Sequence, residues 1–286
     1  MIAVFTSLIQ SFPQAVVAGL LIASVCALLG VFVILKRVVF IGITLSEVAA
    51  CGVALAMLMR VPPFVGGVML TLAAVALLAY PFESRRIPRE AVLGVLFVLA
   101  SSLSVLLVSQ SGFGLQEIKA LLYGDLILTS HADLGVIGAV FLPALLYFLL
   151  FLRPTLYTFL DREAAYVLGI RPALWEMLFF MVLGVTIAAA SKVAGTLLVF
   201  CYLIVPPTFA LLLSRRLWLV MILAVLAAMA ATLIGLYASF TADLPTNQTI
   251  CAAACAILVL AVPVGIVRYV LRRFCKRQPN GQSSGH

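Results

Sequence analysis

The chain has 286 residues, of which 65% are hydrophobic and only 10% are charged, and its formal net charge is +8. A soluble domain carries about 25% charged residues because its outer face must be solvated, so this composition excludes a soluble globular protein and predicts contact with membrane lipid. The basic residues lie in the breaks between apolar runs rather than on one soluble face, which argues against nucleic-acid binding.

Apolar runs long enough to cross roughly 30 Å of hydrocarbon as helices recur along the whole chain. No segment shows the alternating polarity, in stretches of about ten residues, that membrane-spanning strands require. The sequence therefore predicts an all-α fold, a polytopic transmembrane helical bundle. The nine candidate spans lie at about 14–35, 39–59, 62–82, 91–110, 134–152, 173–191, 195–214, 217–240 and 248–271. Eight spans are the alternative, because the runs flanking Lys192 can be divided differently.

The positions of the basic residues predict the orientation of the bundle, because cytoplasmic loops retain Lys and Arg. With the N-terminus outside, the inner side receives 15 of the 18 basic residues, and the outer side receives Arg60, Lys119 and Lys192. The opposite orientation inverts this bias, so the sequence predicts N-out and C-in. Residues 1–277 are predicted to form one transmembrane domain, and the polar segment 278–286 a disordered cytoplasmic tail.

The longer inner break predicts a short helix on the cytoplasmic side. Asp161 can cap a helix from Arg162 to Leu168, and Gly169 can end it. Such a helix would expose Tyr166 and Leu168, as docking onto a soluble partner requires. An ordinary interfacial helix is the alternative, and periodicity alone leaves both open.

The outer break from 111 to 133 contains a mildly amphipathic stretch, 115–125, which is predicted to form a short helix near the surface or dipping inward. Asp125 and His131 belong to this break. They are interpreted as loop residues, with contact to an external partner or an arriving substrate as the alternative. Lys192, at the outer end of a span, is predicted to be an anchor whose ammonium group reaches water, with a gate as the alternative.

Glu47 lies inside the second span with apolar neighbours on both sides, where an ionisable side chain is costly. A carboxylate there could contact a cation, and the alternative is a protonated or hydrogen-bonded packing residue. Glu176, near the inner interface, is predicted instead to pair with a loop arginine or a cytoplasmic partner. Small residues around Glu47 permit close helix approach and predict that it faces protein or a water-filled path; they are Ser46, Ala49, Ala50 and Gly52.

Pro206 and Pro207 interrupt the seventh span and are predicted to break its helix, because proline lacks a backbone donor. A broken helix that lines a cavity is the functional interpretation, and a static kink is the alternative. The six cysteines lie mostly inside apolar runs, where they are expected to pack as small apolar residues. Cys251 and Cys255 are four apart on one helix face, which a metal could use, and small-residue helix packing is the favoured interpretation. The sequence contains no phosphate-binding loop, zinc-protease or serine-hydrolase motif, so it predicts no enzyme activity in this chain.

Four segments, in this order, resemble the permease subunits of bacterial ATP-binding-cassette importers for zinc, manganese and iron. The likeness extends from Phe12 to about Leu271, and four such patterns in the right order and topology are fairly specific. The segments are Leu29–Arg37 (LGVFVILKR), Gly42–Gly52 (GITLSEVAACG), Asp161–Gly169 (DREAAYVLG) and Val193–Pro206 (VAGTLLVFCYLIVP). The third segment resembles the loop that docks on the ATPase, which implies coupling roles for Asp161, Glu163, Ala164, Tyr166, Leu168 and Gly169.

The second segment departs from the family pattern at the two positions that contact metal. The family's aspartate and histidine, four residues apart on one helix face, correspond to Ile43 and Glu47. The loss of one oxygen and one nitrogen ligand, with the gain of one carboxylate, weakens a zinc-like site and favours oxygen-loving ions or a transient contact. Glu47 is therefore the predicted metal contact.

The resemblance implies a homodimeric permease in the bacterial inner membrane, with a divalent metal as its substrate and no cofactor bound by this chain. It also implies a cytoplasmic ABC ATPase that uses ATP, and a periplasmic or lipid-anchored metal-binding protein. The alternatives are a permease for a metal chelate or another small solute, a non-transporting membrane scaffold, and a gradient-driven carrier. The carrier would need further intramembrane acids, which the sequence does not show.

Overall fold

The computed structural model describes residues 13–79, 88–110, 124, 126, 129–160 and 162–276. Within these ranges the chain is a bundle of α-helices without a β-strand, as predicted. The helices are α1 (Pro13–Leu35), α2 (Phe40–Leu58), α3 (Pro63–Ala79), α4 (Arg89–Gln110), α5 (His131–Leu160), α6 (Arg162–Val167), α7 (Pro172–Leu213), α8 (Leu217–Ala242) and α9 (Thr246–Lys276). The outer helix predicted at 115–125 and the tail 278–286 lie outside the described residues.

Seven of the described helices are long and apolar enough to cross a membrane, namely α1, α2, α4, α5, α7, α8 and α9. The difference from the nine predicted spans has two sources. Helix α3 follows the third apolar run, and the 17 residues described for it give a length of about 26 Å. The sixth and seventh apolar runs join in α7, a single element of 42 residues.

Helix α7 folds back on itself at Gly195, which has a φ of 75° and a ψ of 162°. A straight helix would place Phe179 and Leu203 about 36 Å apart. Instead, both contact one turn of α1, where the ring centroids of Phe179 and Phe32 are 5.8 Å apart. In the same turn, the Leu203 carbonyl lies so close to Gly30 that a Cβ there would have no room. The two predicted spans are therefore the two arms of one hairpin.

Glycine is required at the tip of this hairpin, because other residues adopt the backbone conformation of Gly195 only with strain. Gly124 packs directly on the tip, because a Cβ at Gly124 would have no room beside the backbone of Gly195. The Asn247 side-chain amide, at the start of α9, donates hydrogen bonds to the carbonyls of Gly124 at 3.2 Å and Ala194 at 2.9 Å. These bonds satisfy buried backbone groups next to the break and tie α7 to α9.

The helix break predicted at Pro206 and Pro207 is wrong in its position. Both prolines are buried in the second arm of α7, and the non-helical residue of α7 is Gly195. Pro207 frees the carbonyl of Leu203, one turn earlier, from its helical hydrogen bond. That carbonyl faces Gly30 of α1, so close helix packing accommodates the proline without a break.

Candidate functional site

Glu47 lies in the middle of α2 and is 7% exposed. Its carboxyl group lies between α4 and α7, where the hydroxyl groups of Ser101 and Thr196 are its hydrogen-bonding neighbours. Thr196 directly follows the break at Gly195, so the hairpin of α7 supplies one wall of the pocket. The prediction that Glu47 faces protein rather than lipid is confirmed.

One oxygen of this carboxyl group is unsatisfied. Glu47 Oε2 is buried and accepts no hydrogen bond from any residue in the described ranges. An ionised carboxylate is an acceptor only, and burial without a compensating partner is costly. Oε2 is therefore the point of the pocket at which a proton or a cation would be stabilised.

The helices around the carboxyl group pack closely because α2 presents glycine at its contacts. A Cβ at Gly52 would collide with the backbone of Gly66 in α3, and a Cβ at Gly42 would meet the Leu203 side chain of α7 at 2.9 Å. On the α4 side, the Thr44 hydroxyl donates to a backbone carbonyl at 3.2 Å. Helix α2, which carries Glu47, is thus packed against α3, α4 and α7.

Sequence reasoning missed Ser101 and Thr196, although Thr196 belongs to one of the four family-like segments. Hydroxyl side chains in apolar helices commonly bond to their own backbone, so residue type alone does not mark them as part of a site. Across the described ranges, no three or more His, Cys, Asp or Glu side chains are grouped closely enough to hold a metal ion.

Helix α6 is a second candidate site, at the predicted inner side. It extends from Arg162 to Val167, and Gly169 follows it with a φ of 74°, close to the predicted bounds. Ala165 is buried, whereas Tyr166, Val167 and Leu168 are 60%, 88% and 60% exposed. The predicted exposure of Tyr166 and Leu168 is confirmed. Of the other residues predicted for coupling, Glu163 is exposed, Ala164 is half-buried and Asp161 lies outside the described residues.

A cluster of charged and aromatic side chains, the inner anchor, fixes the helix ends next to α6; it consists of Lys36, Phe159, Glu176, Phe179 and Phe32. Lys36 Nζ is 3.1 Å from Glu176 Oε1 and 5.2 Å from the centroid of the Phe159 ring. The rings of Phe159 and Phe179 meet edge to face with centroids 4.9 Å apart. Glu176, which was predicted to pair with a loop arginine or a cytoplasmic partner, forms an ion pair with Lys36. The anchor joins the last turn of α5 to α1 and α7.

The predicted outer side has its own polar contacts. Lys192 Nζ is 2.8 Å from Asp133 Oδ1, so its predicted anchoring takes the form of an ion pair at the start of α5. The His131 ring and the Gln14 amide are hydrogen bonded at 2.6 Å. These contacts join helix ends that the predicted topology places on one side of the membrane. Asp125 lies outside the described residues.

The fold and the pocket define a class of protein: a multi-pass helical membrane protein with an acidic group enclosed within its bundle. The chain belongs to the ABC 3 transport family, whose model matches residues 9–265. It is 28% identical to the manganese transport system membrane protein MntC of Halalkalibacterium halodurans, over 91% of this chain and 89% of the relative. It is 27% identical to the high-affinity zinc uptake system membrane protein ZnuB of Haemophilus influenzae, over 88% and 96%.

A solved structure, PsaBC from Streptococcus pneumoniae in complex with Fab, has the same fold. The TM-score is 0.82, with 22% identity and coverage of 91% of this chain and 95% of that chain. The resemblance inferred from four segments of the sequence is confirmed by the family match. The family places this chain among the membrane subunits of transporters.

Proposed function

We propose that this chain is the permease subunit of an ATP-binding-cassette importer that moves a divalent metal ion across the bacterial inner membrane. The observation that carries the proposal is the enclosed Glu47 carboxyl group, whose Oε2 has no partner among the described residues. Family membership supports transport, and the manganese and zinc relatives support a metal ion as the substrate. In this scheme the ion contacts Glu47 on its way through the bundle.

A cytoplasmic ABC ATPase is proposed to bind at α6. The support is the surface of Tyr166, Val167 and Leu168, which is apolar, exposed and presented by a short helix, as helix-in-groove docking requires. The likeness of the 161–169 segment to the family's docking loop adds Asp161, Glu163, Ala164 and Gly169 to this role. The ATPase uses ATP, and this chain supplies the path.

The inner anchor is proposed to transmit movement from α6 to the bundle. Phe159 lies just before α6 in the chain, and its ring contacts both Lys36, which directly follows α1, and Phe179 of α7. A displacement of α6 therefore shifts side chains that are packed against the two helices at the centre of the bundle. Helix α7 continues to the hairpin tip at Gly195 and hence to Thr196 beside the pocket.

Two copies of the chain are proposed to form the importer, and a periplasmic or lipid-anchored metal-binding protein delivers the ion to the outer side. ATP binding and hydrolysis shift the dimer between outward-open and inward-open states, and each state must have different contacts to be favoured. The low exposure of Glu47 agrees with a closed pathway in the conformation described here.

The test is reconstitution of the chain with its ATPase in proteoliposomes, with zinc, manganese, iron and cobalt offered in turn. We expect at least one ion to stimulate ATP hydrolysis and to accumulate only when ATP and the ATPase are present. The chain alone is the control and should accumulate none. Accumulation up a gradient by the chain alone would identify a gradient-driven carrier, and hydrolysis without any metal movement would point to a scaffold.

A further inference from the structure

Cys51 lies one helical turn after Glu47 on the same face of α2. Side chains four residues apart on a helix stand one above the other, and each Cα–Cβ bond tilts toward the N-terminus, so the Cys51 thiol leans toward the Glu47 carboxyl group. The two side chains interact electrostatically, and Cys51 is 2% exposed. Sequence reasoning treats this cysteine only as a small packing residue.

The state of Glu47 distinguishes Cys51 from an ordinary buried cysteine. Cys26, for comparison, is fully buried in α1, a helix without an acidic residue. Beside Cys51, in contrast, the carboxyl oxygen Oε2 is buried and receives no hydrogen bond from the described part of the chain. A thiol and an unsatisfied carboxyl oxygen, enclosed together, are two cation ligands of different softness.

We propose that Glu47 and Cys51 together contact the transported ion, and that the thiol makes the pair favour a thiophilic divalent cation of the zinc class over manganese. This inference rests on the proposed function. Two side chains at i and i+4 can hold one ion, as the two histidines of helical zinc sites do. Thiolate ligands select zinc, whereas carboxylate and water suit manganese. Cys51 therefore reverses the preference for oxygen-loving ions that Glu47 alone would give.

Charge balance supports the pairing. The thiolate rather than the thiol is the ligand, so binding releases the thiol proton. The carboxylate and the thiolate together then neutralise a divalent cation, which removes the cost of a net charge at membrane depth. The hydroxyl groups of Ser101 and Thr196, which also face the Glu47 carboxyl group, stay neutral and leave this balance unchanged.

Cobalt is the probe for this site, because Co²⁺ accepts the ligands that zinc accepts and a cobalt–thiolate bond absorbs strongly in the near ultraviolet. The full chain in lipid nanodiscs is titrated with Co²⁺ and is expected to develop this absorption. Cys51→Ser should abolish the absorption and weaken cobalt binding by roughly tenfold to a hundredfold. Cys26→Ser is the matched control and should retain both.

The same variants separate this inference from the proposed function in the reconstituted transporter. Cys51→Ser should shift the ratio of zinc uptake to manganese uptake toward manganese by about tenfold. No thiolate absorption in the unmodified chain, or absorption that persists in Cys51→Ser, overturns the role of Cys51, and so does an unchanged uptake ratio. Metal import by this chain would survive those results. The proposed function would be contradicted by a different result, namely the absence of any metal uptake by the unmodified transporter.

Discussion

The Glu47 pocket and helix α6 belong to the same bundle but differ in packing: the pocket is closely packed, whereas α6 is largely exposed. Glycine contacts bring α2 close against α3 and α7, and the Glu47 side chain in the middle of α2 is 7% exposed. In α6, Ala165 is buried, whereas Val167 is 88% exposed. Close packing therefore surrounds the group proposed to contact the ion, and an open apolar surface marks the place proposed for the ATPase.

This difference indicates that the pocket has to be opened, whereas the docking surface is already accessible. Packed helices change between discrete arrangements rather than deforming continuously, so the pocket opens through a change of packing. Lys36, Glu176 and Phe159 of the inner anchor join the ends of α1, α5 and α7, and the anchor is the proposed connection between the two regions. Substitutions in the packed region, at the surface and in the connection between them should therefore have distinct effects.

The largest effect is expected at the tip of the α7 hairpin. Gly195→Ala places a Cβ at a residue whose φ is 75°, and strained backbone of this kind costs about 1–3 kcal/mol. The purified variant should unfold at a clearly lower temperature in detergent. Gly138→Ala is the control, because a Cβ at Gly138 meets nothing within 4 Å among the described residues. Equal melting temperatures of the two variants would contradict the assignment of the hairpin tip to Gly195.

The next effect is expected at the docking surface. Truncation of Tyr166 and Val167 to alanine should raise the dissociation constant for the ATPase by roughly tenfold or more, because exposed aromatic and apolar anchors dominate such interfaces. Melting temperature should stay unchanged, since neither side chain is buried. Binding is measured with the purified chain in nanodiscs. Trp218→Ala, at a position 66% exposed near the inner end of α8, is the control and should bind the ATPase normally. An equal loss of ATPase binding in both variants would show that α6 is not the specific docking surface.

A smaller effect is expected in the connection between the two regions. Lys36→Glu or Glu176→Lys breaks an ion pair that is mostly buried, and contacting pairs of this kind are coupled by about 0.5–3 kcal/mol. Each variant should reduce the metal transported per ATP hydrolysed while the ATPase remains bound. The double variant restores opposite charges and should recover the ratio, as should Lys36→Arg. A double variant that is worse than both single variants would show that the pair has no role in coupling.

The smallest effect is expected at the outer ion pair. Lys192→Ala removes the contact with Asp133, but the two side chains are 32% and 26% exposed, and exposed pairs contribute about 0–1 kcal/mol. Melting temperature and transport should change little. A loss of transport as large as that of Lys36→Glu would mean that the outer side, rather than the inner anchor, limits the cycle.

The sequence predicted the helical architecture well, because the thickness of a membrane requires long apolar runs, and such runs are easily recognised in a sequence. It placed α6 and its stop at Gly169 because capping and glycine termination are local. It misplaced the helix break, because the prediction assumed that proline ends the helix. In the structure the Leu203 carbonyl, freed by Pro207, packs on Gly30, and the chain reverses at Gly195 instead. That outcome depends on neighbours that only the folded chain supplies.

The candidate site was predicted in part. Glu47 was identifiable because a carboxyl group at membrane depth is costly wherever the chain folds. Ser101 and Thr196 were not identifiable, because their meeting with Glu47 depends on how α4 and α7 pack against α2. The ion pair between Glu176 and Lys36 was not predicted either, since Lys36 is brought to Glu176 by the packing of α1 on α7.

The most direct test of the central claim is ATP-driven metal accumulation by Glu47→Gln, which keeps the shape of the side chain and removes its charge. Glu90→Gln, at an exposed position in the first turn of α4, is the matched control. The predicted result is a loss of uptake by roughly tenfold to a hundredfold in Glu47→Gln alone, with membrane insertion and ATPase binding retained. Uptake by Glu47→Gln equal to that of the unmodified transporter would contradict the proposed role of this carboxylate.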